Sequence, residues 1–421
     1  MKKTIFLLII FVLLFTGCNN KSNNISNVES SSSQNSEINS QIQENFTNVT
    51  KENDVYSAMW ISYLEWETVD FSTKESFTNE IEIMFENCKN MNINTIIAQV
   101  RPFGDALYNS KISPTSHLIT GVQGDEILYD PLEIMVEKAH EKNLKIEAWV
   151  NPYRIQLTQN KPKELASNNK AIIYMENNET THYVFEANNG LYYNPAVPEV
   201  RQLIVDGVNE IVTNYNIDAI HFDDYFYPEG AGSTFDLEMY NNSGSNLSLD
   251  AWRRENVNKL IQTVYNSIKT TNKEVVFGVS PQGNNDNNYN MQYSDIDLWL
   301  KEPGYVDYIM PQLYWGYDFV LKSGNDRFSY LNILNEWLTK EKNENVKLYI
   351  GLGAYRIDAG DGSYKESDEW QTGNNISNMI SDAIINNANG IALYRYDFLF
   401  KNTEYNELAK QEVENIGNSI K

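Results

Sequence analysis

Short apolar segments alternate with amphipathic, helix-like segments along most of the chain, and this alternation restricts the possible folds more than any other feature. The alternation begins near residue 55 and continues almost to the end of the 421 residues. The predicted strands cover residues 57–63, 95–102, 145–153, 218–227, 274–281, 307–315, 347–355 and 390–399. Apolar residues spaced three and four apart predict helices over residues 74–91, 131–143, 198–215, 249–271, 328–340 and 376–386.

Strands that alternate with helices are typical of parallel α/β folds, and eight of them in one domain match a (β/α)8 TIM barrel. An open doubly wound sheet is the alternative. Such a sheet usually carries a glycine-rich phosphate-binding turn after its first strand, whereas Tyr63-Leu64-Glu65-Trp66 stands there in this chain. The sequence therefore predicts a (β/α)8 barrel over residues 54–421.

The chain begins with a pattern typical of an export signal. Two lysines precede an apolar run, which ends in Thr16-Gly17 before Cys18. Small residues before a cysteine resemble the lipobox of bacterial lipoproteins, in which the cysteine carries the lipid (palmitate). We therefore expect a lipoprotein signal peptide over residues 1–17, with an ordinary secretory signal as the alternative. Lipidation at Cys18 would anchor the protein to the extracytoplasmic face of the cell membrane.

Residues 18–53 are rich in Asn, Ser, Gln and Glu and contain almost no large apolar side chains. Such a segment buries too little surface to offset the entropy lost on folding. We predict a disordered linker between the anchor and the barrel.

The charge and the histidine pattern exclude several classes of ligand. The formal net charge is −24, which argues against nucleic acid because phosphate binding needs a basic face. The four histidines show no metal-ligand spacing, and there is neither a P-loop nor a Gly-x-Ser-x-Gly elbow. We expect no metal and no cofactor.

Polar and aromatic side chains follow most of the predicted strands, where parallel α/β folds place their sites. Aromatic residues make up 12% of the chain, and Tyr and Trp stack well on sugar rings. Amides supply neutral hydrogen bonds to sugar hydroxyls. The candidate substrate-binding residues are Arg101, Asp105, Trp149, Asn151, His221, Tyr225, Gln312, Tyr314 and Trp315.

The predicted fourth strand ends in two adjacent carboxylates, Asp223 and Asp224. Neighbouring strand side chains point to opposite faces. Asp223 shares its face with His221 and Tyr225, so we expect all three to point into the barrel mouth. Asp224 should point away unless the chain kinks after Phe222. Cleavage of a glycosidic bond needs one carboxylic acid and one carboxylate, which makes this pair a candidate catalytic site.

Several of these motifs together resemble the glycosyl-hydrolase-like family 10 proteins of bacterial envelopes. The resemblance extends over about residues 56–399. The motifs that carry it lie at residues 99–108, 130–132, 149–154 (Trp-Val-Asn-Pro-Tyr-Arg), 221–228 (His-Phe-Asp-Asp-Tyr-Phe-Tyr-Pro), 279–281 and 307–315. It implies a (β/α)8 barrel and a glycosidase acting on peptidoglycan glycan, in one branch on strands stripped of stem peptides. The chain departs from this pattern at Glu147, where the resemblance leads us to expect histidine.

The fourth strand also resembles the nucleophile strand of the α-amylase superfamily, where an aspartate follows a basic residue by two positions. The likeness favours Asp223, but it fails at the fifth strand, where this chain has Ser280 in place of a glutamate acid. The second carboxylate therefore stays open among Asp224, Glu65, Asp105 and Asp397. An N-cap role is an equally good interpretation of Glu65.

Two other functions fit the same sequence features. One is hydrolysis of a partly deacetylated glucosamine exopolysaccharide, whose cationic amines suit an acidic protein. The other is a non-catalytic barrel that binds glycans. Paired acids in the cleft would favour an enzyme over a binding protein.

Overall fold

The computed structural model describes residues 55–158, 161–228, 232, 234–401 and 406–420. The predicted signal peptide, the lipidation site at Cys18 and the predicted linker lie outside these residues, as does the first residue of the predicted barrel domain. Within the described chain, no helix has both the length and the apolar character needed to cross a bilayer.

Eight parallel strands close into a barrel, which confirms the predicted (β/α)8 fold. The strands are β1 (Tyr56–Ile61), β2 (Thr95–Arg101), β3 (Lys145–Val150), β4 (Ala219–Phe222), β5 (Val276–Val279), β6 (two segments, Tyr308–Ile309 and Gln312–Leu313), β7 (Lys347–Gly353) and β8 (Gly390–Tyr394). Each strand pairs with the next in parallel register. The barrel closes where β8 pairs with β1.

One outer helix follows each strand. The helices are α1 (Lys74–Asn90), α2 (Pro131–Glu141), α3 (Pro198–Asn214), α4 (Leu249–Thr271), α5 (Ile296–Lys301), α6 (Tyr330–Leu338), α7 (Asn375–Ile385) and α8 (Asn406–Ser419). Side-chain caps fix several of the helix starts; for example, Asp130 accepts from the backbone of Leu132 at 3.0 Å, and Ser248 from that of Ala251 at 3.3 Å. Helices α5 and α8 are not among the six predicted helices, and α5, with six residues, is too short for a clear helical period.

Short helices lie in the connections between these elements. They are Tyr63–Trp66, His117–Thr120, Lys170–Met175, Leu237–Asn242, Asn285–Asn290 and Tyr396–Phe400, with 3-10 turns at Thr181–Tyr183, Ala354–Arg356 and Glu369–Gln371. The connection from β3 to α3 also contains a small antiparallel sheet of Arg154–Gln156, Gly190–Tyr193 and Val184–Ala187. Its tight turn places Asn188 and Asn189 at φ of 50° and 62°, a conformation that asparagine tolerates better than most residues.

The apolar core has two parts. The larger part lies between the strands and the outer helices. The smaller part fills the inside of the barrel with side chains from inward-facing strand positions, namely Ala58, Trp60, Ile97, Trp149, Tyr308, Met310 and Ala392. The barrel is therefore a packed interior with an open mouth at the carboxyl ends of its strands.

Candidate active site

Asp223 lies just beyond β4 and is held by donors from the neighbouring strand β3. Its Oδ2 accepts from Trp149 Nε1 at 3.0 Å and from Asn151 Nδ2 at 3.1 Å. Its Oδ1 accepts from the backbone N–H of Tyr225 at 3.3 Å. Burial raises the pKa of Asp223 to about 7, and the charge of Asp224 adds to the rise. A carboxyl group with this pKa can give or take a proton near neutral pH.

Asp224 also faces the mouth, where two amide groups hold it. Its Oδ2 accepts from Gln292 Nε2 at 3.3 Å and its Oδ1 from Gln312 Nε2 at 3.2 Å. Regular strand geometry ends at Phe222, so strict alternation does not extend to Asp224. The structure therefore brings the two aspartates together, as the sequence anticipated for a kink after Phe222. Burial raises the pKa of Asp224, and the amide donors oppose that rise.

Glu65, a sequence candidate for the second carboxylate, is fully buried in a structural role. Its Oε2 accepts from the backbone N–H of Ser62 at 2.9 Å and from the Ser62 hydroxyl at 2.7 Å, which completes a capping box. Its Oε1 is paired with Arg395 and accepts from the backbone N–H of Asp397 at 3.2 Å. Both oxygens are occupied, so this placement argues against Glu65 as a catalytic group.

Asp397, another sequence candidate, lies on the same side of the barrel as Glu65. Its carboxylate is 3.7 Å from both Arg395 and Lys401, and burial raises its pKa. Among the described residues it is paired with Arg395 and Lys401 and makes no hydrogen bond to Asp223 or Asp224, so it stands apart from the site.

Arg101 does not point into the mouth, which corrects its assignment as a substrate-binding residue. The pairing of β2 with β3 shifts register between Gln99 and Arg101. The Arg101 guanidinium packs against Gly207 of α3, where there is no room for a Cβ atom. Its Nε and Nη1 are buried there without a hydrogen-bond partner.

Asp105 is likewise a structural residue in the connection after β2 and does not contact the site. Its Oδ2 lies 3.1 Å from His117 Nδ1 and accepts from Gln123 Nε2 at 3.0 Å. Both partners belong to the same connection, so Asp105 stabilises that loop and is not placed to bind a sugar.

His221 lies inside the barrel, below the mouth, and is fully buried. Its Nε2 accepts from Trp60 Nε1 at 3.2 Å and is 2.9 Å from Ser280 Oγ. Its Nδ1 is 2.6 Å from the Tyr308 hydroxyl. Burial lowers the pKa of His221 to about 3, so the ring is neutral. The inward direction was predicted correctly, but the depth excludes the predicted contact with substrate.

Glu147 completes this buried network at the inward face of β3. Its Oε2 accepts from the Tyr308 hydroxyl at 2.5 Å and its Oε1 from the Tyr56 hydroxyl at 2.8 Å. Burial raises the pKa of Glu147 to about 7. Sequence reasoning gave this residue no role beyond noting its departure from the family pattern, although it shares its strand face with Trp149.

Aromatic rings form one side of the mouth around Arg154. The guanidinium carbon of Arg154 lies 5.2 Å from the ring centre of Tyr225, 5.0 Å from that of Phe103 and 5.5 Å from that of Tyr63. Tyr225 is 45% exposed, so its ring is open to a ligand. Arg154 follows directly from the Asn-Pro-Tyr motif after β3, a position that the sequence analysis left without a role.

A second aromatic group lies near Asp224 and Tyr225. Tyr314 stacks with Tyr394 at 5.8 Å between ring centres and meets the edge of Tyr355 at 5.5 Å. Burial raises the pKa of Tyr314 well above its ordinary value, and the nearby charge of Asp224 adds to the rise. The carboxylate pair therefore lies near two groups of rings, an arrangement suited to binding pyranose units.

Two tryptophans proposed as stacking surfaces have other roles. Trp315 points away from Tyr314 and stacks on Phe328 at 5.0 Å, next to Phe319 at 5.9 Å. Trp149 is almost fully buried and serves the site through its indole N–H. Within the described residues, no group of three His, Cys, Asp or Glu side chains could hold a metal ion.

Comparison with known proteins identifies close sequence relatives. The family model described as Glycosyl hydrolase-like 10 matches residues 56–372. Glycosyl hydrolase YngK of Bacillus subtilis is 36% identical over 324 residues, which are 71% of this chain and 61% of YngK. The chain thus spans less than two thirds of that relative. Glycosyl hydrolase DigH of Escherichia coli K12 is 32% identical over 374 residues, which are 81% of this chain and 82% of DigH.

Solved structures with low sequence identity share the fold. The glycoside hydrolase domain of PgaB (BpsB) from Bordetella bronchiseptica has a TM-score of 0.54 at 10% identity and covers 85% of this chain and 99% of its own. The endo-1,4-β-mannanase of Rhizomucor miehei has a TM-score of 0.54 at 12% identity, over 88% of this chain and 96% of its own. At such identity the likeness shows the barrel fold alone.

Proposed function

The chain belongs to the glycosyl hydrolase-like 10 family, which assigns it to the glycoside hydrolases, and from this premise we propose that it cleaves the glycan strands of peptidoglycan with Asp223 and Asp224. One observation carries the proposal. Asp223 is a buried carboxyl group at the mouth, with a pKa of about 7 and a second carboxyl group beside it.

The two carboxyl groups have environments that suit different roles. Asp223 stays partly protonated at neutral pH because its pKa is about 7, so we assign it the proton donor that protonates the leaving glycosidic oxygen. Asp224 accepts from the amides of Gln292 and Gln312, and such donors favour the charged form. We assign it the carboxylate role, as nucleophile or as base toward water.

The choice of peptidoglycan rests on the family resemblance and on the N-terminal sequence. A lipobox-like sequence before Cys18 suits a protein held at the bacterial envelope, where peptidoglycan is found. The two groups of aromatic rings near Asp223 and Asp224 suit a substrate made of sugar rings. The formal charge of −24 favours a second candidate, a glucosamine exopolysaccharide with cationic amines.

Mass spectrometry of released fragments tests this proposal. The purified protein is incubated with intact sacculi, with peptide-stripped glycan strands and with partly deacetylated glucosamine polymer. We expect soluble fragments from peptidoglycan glycan, and turnover at least about a thousandfold lower for folded Asp223→Asn. Asp224→Asn should lose activity by a smaller or equal factor.

Three results would contradict the proposal in different ways. Fragments from the glucosamine polymer alone would show that this polymer, and not peptidoglycan, is the substrate. Tight glycan binding without products would make the barrel a binding protein. Near-normal turnover by Asp223→Asn, with an unchanged circular dichroism spectrum, would remove Asp223 from the mechanism.

We also infer that the protein is anchored to the cell membrane through a lipid on Cys18. A Cys18→Ala variant should leave the membrane fraction or remain unprocessed, because the lipid-bearing thiol is missing. Fractionation and intact mass measure both effects, with Cys88→Ala as the control because Cys88 is buried in the barrel domain. Unchanged fractionation and mass for Cys18→Ala would disprove the anchor.

A further inference from the structure

Arg154 is a buried cation at the mouth that has no anionic partner. The residue is 4% exposed, and its Nε donates to the carbonyl oxygen of Pro102 at 2.9 Å. Among the described residues, no carboxylate lies within ion-pair distance of its guanidinium and its terminal nitrogens have no hydrogen-bond partner. By contrast, the buried Arg253 is paired with Asp236, whose Oδ2 accepts from Arg253 Nε at 2.8 Å.

The position of Arg154 connects it to the catalytic pair. The backbone N–H of Arg154 donates to Asn151 Oδ1 at 3.0 Å, and the amide of Asn151 donates to Asp223. The charge of Arg154 lowers the pKa of Asp223 and of Tyr225, against the effect of burial and of nearby carboxylates. The cation therefore lies close enough to act on the reacting groups.

The rings around Arg154 fix the guanidinium without neutralising it. Aromatic rings at 5.0–5.5 Å attract a cation through their faces. They leave the four N–H groups of the terminal nitrogens unused. Withdrawing a charge from water is costly unless the charge is paired. An anion that arrives with the substrate would supply the missing partner.

We propose that Arg154 binds the free lactyl carboxylate of a muramic acid unit beside the scissile bond, an inference that rests on the proposed function. A guanidinium matches a carboxylate through two parallel hydrogen bonds. This carboxylate is free only where the stem peptide has been removed, because in an intact strand it forms a neutral amide. Arg154 would then select peptide-free glycan. A ligand without the free carboxylate would leave the buried guanidinium unpaired, which strongly weakens its binding.

The charge of the whole protein opposes the binding of such a substrate. Peptide-free glycan is a polyanion, and the protein has a formal charge of −24. Long-range repulsion disfavours the encounter, and Arg154 would offset it locally with a positive contact at the site. Among the described residues, Lys161 is another cation near these rings, 5.7 Å from the centre of Tyr63, but it is paired with Glu67 at 2.6 Å.

The experiment compares four substrates with wild type, Arg154→Gln and Arg154→Lys. The substrates are peptide-free glycan, the same glycan with its lactyl carboxylates converted to methylamides, chitin oligosaccharide and hyaluronan. We expect wild-type kcat/KM to be at least tenfold higher on peptide-free glycan than on its methylamide. In Arg154→Gln this ratio should fall close to one, mainly through KM, and Arg154→Lys should recover part of it.

Competition with monosaccharides gives a second measurement. N-acetylmuramic acid should inhibit the wild-type protein at least tenfold more strongly than N-acetylglucosamine, and Arg154→Gln should abolish that difference. The comparison of substrates on the unmodified protein needs no variant, so it holds even if Arg154→Gln does not fold.

Each outcome supports or overturns a specific claim. Equal wild-type cleavage of the free and amidated glycans, or an unchanged preference in folded Arg154→Gln, would overturn the role of Arg154. Arg154-dependent cleavage of hyaluronan in place of peptide-free glycan would show that Arg154 recognises the carboxylate of a uronic acid and not that of muramic acid. A wild-type protein that cleaves no peptidoglycan glycan would instead overturn the proposed function.

Discussion

Removing the indole N–H that holds Asp223 should change the pH dependence of the reaction. In a Trp149→Phe variant, the donor 3.0 Å from Asp223 Oδ2 is lost, while an aromatic ring still packs in the barrel. A hydrogen bond to a charged group contributes about 1.5–3 kcal/mol, and one pKa unit corresponds to about 1.4 kcal/mol. Asn151 still donates to the same oxygen at 3.1 Å, so part of the loss is offset.

The sign of the effect follows from what the indole stabilises. Trp149 lowers the pKa of Asp223 because it favours the carboxylate form. Without that donor, the pKa should rise from about 7 by about one pH unit. If Asp223 donates a proton, the alkaline limb of the kcat/KM profile reports its pKa. That limb should move to higher pH in the variant.

The assay is release of reducing ends from peptide-stripped glycan between about pH 5 and pH 9, a range that spans the expected limb. Trp60→Phe is the matched control, because the Trp60 indole donates to His221 at 3.2 Å and not to Asp223. Its alkaline limb should stay where the wild-type limb lies. Movement of the acidic limb in Trp149→Phe would show that Asp223 acts in its ionised form, which reverses the two assigned roles. If neither limb moves, Asp223 does not control the reaction.

Two further predictions concern stability and binding. Burial raises the pKa of Glu147 from 4.5 to about 7, so the folded protein holds a proton that the unfolded chain releases. Wild-type stability should therefore fall by up to about 3 kcal/mol between these pH values, and urea unfolding of Glu147→Gln should lack this contribution; parallel curves for both proteins would disprove it. Tyr314→Ala should weaken glycan affinity with little change in Tm, whereas Trp315→Ala should lower unfolding free energy by about 3 kcal/mol or more, because Trp315 packs on Phe328. Equal affinity of Tyr314→Ala and wild type, or an unchanged Tm in Trp315→Ala, would contradict these placements.

The barrel and its central strand end were readable from the sequence because they depend on local periodicity. Eight apolar segments alternating with helices predict the fold, and the acidic pair after Phe222 predicts the candidate site that the proposed function uses. A capping role for Glu65 was also readable, since Ser-x-x-Glu at residues 62–65 is a capping-box pattern. Weighing that pattern more heavily would have separated Glu65 from the catalytic candidates.

Other residues depend on geometry that a single sequence does not encode. Arg101 is the last residue of β2 and Arg154 follows β3, so both lie near the carboxyl ends of strands. The pairing of β2 shifts register just before Arg101, whose guanidinium packs against α3. His221 points inward as its alternation predicts, yet alternation gives no depth, and the ring lies below the mouth. The pairing of Asp224 with Gln292 joins residues 68 positions apart, which periodicity does not reveal.

The polar network inside the barrel has a consequence for how this chain can be divided. Tyr308 in the second half of the barrel bonds to both His221 and Glu147 in the first half, and Ser280 contacts His221 across the same division. A chain split between β4 and β5 would separate these groups from their partners and expose the inside of the barrel to water. Each half would thus lack the hydrogen bonds that the other supplies. The two fragments should stay unfolded when expressed separately and assemble only when they are present together.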